Sequence, residues 1–153
     1  MNKIPVLPQK FPYNEMLLRG QRQFETRNWS WSYRGSILLY TSSTNVRSVC
    51  QGYGYDPKEY PHQMIVAKAV LTDVRVLTKK EIALAFRQLN PGISNMEVSD
   101  YIRYGIMEDR IFPADLGFFF AELTRIKPAE VDYPRGAINM FWLRGSAAKT
   151  FLK

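Results

Sequence analysis

Apolar and polar positions fall into recognisable periods along the chain. Residues 36–41 (SILLYT) are an apolar, β-prone run and read as a buried strand. Residues 64–77 (MIVAKAVLTDVRVL) give the longest strand signal. Val70, Thr72, Val74 and Val76 alternate there, and a bend is expected near Thr72 and Asp73. Residues 116–126 and 137–143 are two further strand candidates. Thr78 with Glu81 forms a capping box that predicts a helix running to Asn90 and stopped by Pro91-Gly92. A second S-x-x-E start, Ser94 with Glu97, predicts a helix over 94–104. Residues 13–19 suit a short helix with Gly20 as its C-cap. Gly52, Gly54, Pro57 and Pro61 mark residues 42–63 as a helical turn followed by a long loop. Pro5, Pro8 and Pro12 mark residues 1–12 as an extended leader. Strands with intervening short helices predict a compact α+β domain, mainly β.

Bulk properties narrow the class. A chain of 153 residues with 46% hydrophobic and 23% charged positions suits one folded domain with a real core. One cysteine, Cys50, excludes an internal disulfide, so a reducing, cytoplasmic setting is expected. The first fifteen residues lack the apolar run of a signal peptide. No apolar run approaches the roughly 20 residues of a membrane span, so no membrane partner is expected. With one histidine, His62, a four-ligand zinc site is out of reach within the chain. Glu108, Asp109 and Asp115 suit an exposed turn better than a metal cluster, and no phosphate-binding glycine loop occurs. No metal or cofactor is expected. The net charge of +7 permits an anionic partner, with nucleic acid first in line.

The candidate chemistry lies in residues 20–43, GQRQFETRNWSWSYRGSILLYTSS. Arg22 and Arg27 can clamp phosphates or a carbonyl edge through planar forks, or one of them can pair with Glu25 and hold the loop. Glu25 suits either an acceptor for an exocyclic amine or a structural ion pair. Trp29, Trp31 and Tyr33 alternate, so in an extended segment they share a face, for stacking on bases or for filling the core. Trp31 reads as core and Trp29 as the ring nearer the cleft. Arg34 can reach a phosphate or cap the strand, and Ser42 and Ser43 can donate to a ligand or begin the next loop. Tyr53, Tyr55 and Tyr60 are candidates for a rim over the site.

Gly20-x-Arg22-x-x-Glu25-x-Arg27, then Trp29, Tyr33-Arg34-Gly35 and ILLYTSS, resembles the ASCH domain of the PUA-like superfamily. The later strands fit that order, including the closing pair with a connection near Pro134-Arg135-Gly136. The resemblance spans about residues 13–143. It implies a PUA-like small β-barrel with short flanking helices over 13–144, a helical insert at about 78–112 and a short tail at 145–153. It also implies a cleft beside the G-x-R-x-x-E-x-R loop that binds RNA, a nucleotide or a modified nucleoside through Arg22, Glu25, Arg27, Trp29, Tyr33, Arg34 and Ser42. Some members are amidohydrolases on N4-acetylcytidine, and others have been reported as ribonucleases. In the amidohydrolase type a lysine and a threonine carry the chemistry where this chain has Arg22 and Glu25. Arginine stays protonated and is a poor general base. If the chain is an enzyme, Arg22 and Glu25 are its candidate catalytic residues, with Lys68 or a tyrosine assisting. A protein-interaction module using the tyrosine-rich loop and the helical insert is the remaining alternative.

Overall fold

A computed structural model describes residues 2–105, 109–134 and 139–152. The core is a mixed, six-stranded sheet with strand order β2-β5-β4-β3-β1-β6. Its strands are β1 (Lys3–Phe11), β2 (Glu25–Arg27), β3 (Gly35–Asn45), β4 (Met64–Val76), β5 (Leu116–Ala129) and β6 (Phe141–Arg144). The helices are α1 (Tyr13–Leu18), α2 (Arg47–Tyr53), α3 (Lys79–Leu89), α4 (Asn95–Tyr104) and α5 (Gly145–Lys149).

The continuous apolar run of β3 follows from burial on both faces. Ile37 and Leu39 join a cluster with Leu7, Ala67, Leu71 and Phe118. Leu38 and Tyr40 join the opposite cluster with Ile4, Val6, Ile65, Phe141 and Leu143. Full burial of one such apolar side chain contributes about 1.5–3 kcal/mol, so this two-sided strand is the centre of the fold. β4 carries the expected irregularity, a register shift between Leu71 and Asp73 where it pairs with β5. Both capping-box hydrogen bonds of Thr78 and Glu81 form at the start of α3, and Asn90 is its C-cap. Ser94 caps α4.

Three expectations change. Residues 3–11 are not a leader ahead of the domain but strand β1, inside the sheet between β3 and β6. β6 pairs with residues from Lys3 to Val6, and Pro5 lies opposite Trp142 within that stretch. Among the described residues the pairing with β6 ends at Val6, and Pro8, which lacks an N–H, lies beyond it. Likewise, residues 145–149 form α5, which buries Ala148 against the Leu38 face. Finally, an α+β, mainly β architecture holds, but the sheet is open rather than a closed barrel among the described residues, with β2 and β6 at its edges. Those edges are too short to pair far, at three and four residues. Aromatic packing joins them instead: Tyr33 and Trp31, after β2, meet Trp142 of β6 at 5.4 and 6.2 Å between centroids. In the strand expected over 137–143, Ala137 and Ile138 lie outside the described residues, as do Arg135, Gly136 and Glu108.

Candidate functional site

Beside the motif loop, next to the part of β1 that lies beyond its described pairing with β6, is a cavity. Pro8, Gln9 and Lys10 of β1, Tyr13 of α1, Glu25, Thr26 and Arg27 of β2, Ser42 and Thr44 of β3, and Tyr133 line this cavity of about 350 Å³. That volume lies within the range of small-molecule sites.

Gly20, at φ +74°, ends α1 in a left-handed turn that a side chain would strain. The chain then folds back, and the N–H groups of Gln21 and Arg22 donate to the Met16 carbonyl at 2.8 and 3.2 Å. This buries Arg22 beneath α1, 3% exposed, with its guanidinium 4.8 Å from the centre of the Tyr13 ring. Glu25, also 3% exposed, opens β2 opposite Phe118 of β5. Its Oε1 accepts from Arg22 Nη2 at 3.1 Å and from the Thr26 N–H at 2.9 Å. Its Oε2 accepts from Gln9 Nε2 at 2.5 Å and from Arg27 Nη2 at 3.4 Å. Arg27 also donates to the Pro8 carbonyl at 2.6 Å, spanning the gap between β2 and β1.

Burial works to raise the Glu25 pKa, but the charges of Arg22 and Arg27, with the Gln9 and Thr26 donors, hold it at about 2. The Tyr13 hydroxyl moves the other way: burial pushes it up to about 12 against the lowering pull of Arg22. Near neutral pH the site therefore holds a fixed carboxylate and a neutral phenol. Lys10 is exposed at the mouth.

The structure brings Glu25, Arg27 and Ser42 to the cavity, with Arg22 behind Glu25. It places the other candidates elsewhere. Trp29 packs edge-on against Phe118 at 5.0 Å, and Trp31 stacks on Tyr33 at 5.0 Å, both over the Leu39 face of the sheet. Arg34 donates to the carbonyls of Trp31 and Tyr33 at 2.8 Å and of Val74 at 3.3 Å, tying the segment after β2 to β4. Of the tyrosine-loop candidates, Tyr55 donates to Gln21 and Tyr53 to the Gln88 carbonyl, while Tyr60 accepts from Arg19. Lys68 donates to the Phe151 carbonyl at 2.7 Å, on the far side of the sheet. Both His62 ring nitrogens face backbone carbonyls, those of Ser42 and Pro57. Among the described residues no group of three or more His, Cys, Asp or Glu side chains converges to hold a metal, and no helix is long and apolar enough to cross a membrane.

Sequence reasoning missed Gln9, Lys10 and Tyr13. All three lie in or beside the proline-marked segment at 1–12, and only the hydrophilic Gln-Lys pair after Pro8 hinted that its end is different.

Among solved structures, the chain is similar to the ASCH protein of Zymomonas mobilis at 13% identity and a TM-score of 0.58, over 99% of this chain and 95% of that one. Two point variants of the same protein match at 12% identity with TM-scores of 0.56 and 0.54, over 99% and 97% of this chain and 95% of each of theirs. No protein-family model and no curated protein matches the sequence. The chain thus has the ASCH fold, as its motif order suggested.

Proposed function

We propose that this chain binds RNA, recognising a base and its adjoining phosphate in the cavity beside the G-x-R-x-x-E-x-R loop. The observation that carries the reading is the lining itself. A pocket of about 350 Å³ joins Lys10 and Arg27, suited to phosphate, with the Tyr13 and Tyr133 rings and the Ser42 and Thr44 hydroxyls, suited to a base and sugar. The net charge of +7 favours the approach of a polyanion. The ASCH fold is consistent with this, as an analogy of fold.

Binding is favoured over hydrolysis by the titration of the site. General acid–base catalysis works best with a group near the operating pH. Glu25 at about 2 and Tyr13 at about 12 are both far from it. Arg22, buried and ion-paired, also cannot serve as a base.

The test is fluorescence anisotropy with a labelled single-stranded RNA at low and moderate salt, the RNA then being run on a denaturing gel. Binding is expected to weaken steeply with salt, with a shallower slope in Lys10→Ala, and the RNA to stay intact. Absence of binding at low salt, or identical curves for Lys10→Ala, overturns the proposal. Cleavage lost in Glu25→Gln would replace it with a ribonuclease.

A further inference from the structure

Glu25 is the acid of the cavity, yet it has nothing left to offer a ligand. A carboxylate has about four acceptor sites. Those of Glu25 are engaged by Arg22, Thr26, Gln9 and Arg27. Its influence passes instead to Gln9. An ionised carboxylate only accepts, so the Gln9 amide must turn its NH₂ toward Glu25 and its carbonyl away. That carbonyl oxygen, Oε1, is buried and has no hydrogen-bond partner among the described residues. It belongs to a side chain that lines the cavity and is 3% exposed. A buried acceptor of fixed orientation and no partner is unfavourable by itself and is relieved by a donor that arrives in the cavity.

A second orphaned atom among the described residues, Arg22 Nη1, has a different explanation. Its guanidinium lies over the Tyr13 ring, whose face receives N–H groups, and Arg22 does not line the cavity. Gln9 Oε1 is therefore the buried, direction-fixed acceptor of a residue that lines the cavity.

On the premise that the cavity binds RNA, we infer that Gln9 is a specificity-determining residue: its Oε1 accepts from an exocyclic amine of the bound base. Cytosine and adenine carry that amine where uracil and hypoxanthine carry an oxo group, and guanine carries one at C2. The matching rings with an oxo group there set two desolvated acceptors against each other. Lys10 and Arg27 contribute to phosphate affinity and do not distinguish the two.

The experiment is competition against a bound, labelled single-stranded RNA by nucleoside monophosphates in matched pairs, cytidine against uridine and adenosine against inosine. Each pair exchanges the exocyclic amine for an oxo group and, with it, turns the adjacent ring nitrogen from an acceptor into an N–H donor. The amine-bearing member of at least one pair is expected to compete about tenfold or more better than its partner. Which pair discriminates tells the pyrimidine from the purine source. In Gln9→Met, which keeps the length and removes the acceptor, the ratio is expected to fall to about one with the oxo ligand little changed. A melting curve checks that the variant folds. If it does not, Gln9→Asn, which retracts the oxygen, serves the same purpose. RNA binding with neither pair discriminating overturns the inference and leaves the RNA reading standing. A ratio that persists in a folded variant overturns the assignment to Gln9. No RNA binding by the wild-type chain removes both.

Discussion

Glu25 and Glu81 both titrate at about 2, for opposite physical reasons. Glu81 lies on the helical insert, its side chain 22% exposed. The paired donors of Arg75, at 2.8 and 2.7 Å, lower it first and the Thr78 N–H second, against only modest desolvation. Glu25 starts from full desolvation and is brought down by two arginines and two further donors. One carboxylate is low because little opposes its partners, and the other because its partners overcome burial. The distinction decides what each does. If Glu81 is removed, water can solvate Arg75 and the helix start. If Glu25 is removed, the buried Arg22 is left without its ion-pair partner, and Gln9 and Arg27 lose the group that aims them.

The largest expected effect separates the two directly. Glu25→Ala should cost about 3–5 kcal/mol of unfolding free energy, the usual penalty for stranding a buried partner. Urea unfolding of the variant measures it. A loss below about 1 kcal/mol would mean that Arg22 relaxes into water and that the burial contrast with Glu81 is unimportant.

The pH dependence follows with its sign. Glu25 is lowered from an ordinary 4.5 to about 2, so its contribution is full above about 4.5 and is lost as the pH falls toward 2. Unfolding midpoints measured from pH 5 down to pH 2 should therefore decline in the wild type. The decline should be shallower in Glu25→Gln, which has nothing to protonate at that position. Equal slopes would assign the acid sensitivity to Glu81, Glu15 and Glu97, whose pKa values are also lowered.

This contrast also marks what can be read from a sequence. The Glu81 cap was legible from Thr78 and its spacing, because a capping box is local and its partners lie within one turn. The bend in β4 and the burial of β3 were legible for the same reason, as periodicity within one element. Glu25 was legible as one member of a charged motif, but its role was not. Its partner Gln9 lies far back in the chain, and the proline-marked segment carrying it gave no strand signal. β1 became visible only through its pairing with β3 and β6, a tertiary fact that overrides local proline propensity. Trp29 and Tyr33 had an extended spacing that fits base stacking and core packing equally well. Only the positions of Phe118 and Trp142 told the two apart.

At the exposed end of the comparison the expected effects are smaller. Thr78→Ala removes the hydroxyl that accepts from the Glu81 N–H at 3.2 Å and should cost about 1 kcal/mol by urea unfolding, with RNA affinity unchanged. A drop in RNA affinity would couple the insert to the cavity and break the separation drawn between the two carboxylates.

The smallest effect is the most discriminating, because it tests solvent access itself. A double-mutant cycle on Arg75 and Glu81, with each residue changed to alanine, should give a coupling of about 0.5 kcal/mol at low salt, as for other solvent-exposed pairs. In about 1 M sodium chloride, where the screening length is roughly 3 Å, that coupling should shrink toward zero. The Arg22–Glu25 coupling should fall much less under the same change, since buried pairs are screened far less and these two side chains are 2% and 4% exposed. If both couplings fall together, ions reach the buried pair, Arg22 and Glu25 sit in an effectively aqueous environment, and the fixed orientation of Gln9 loses its physical basis.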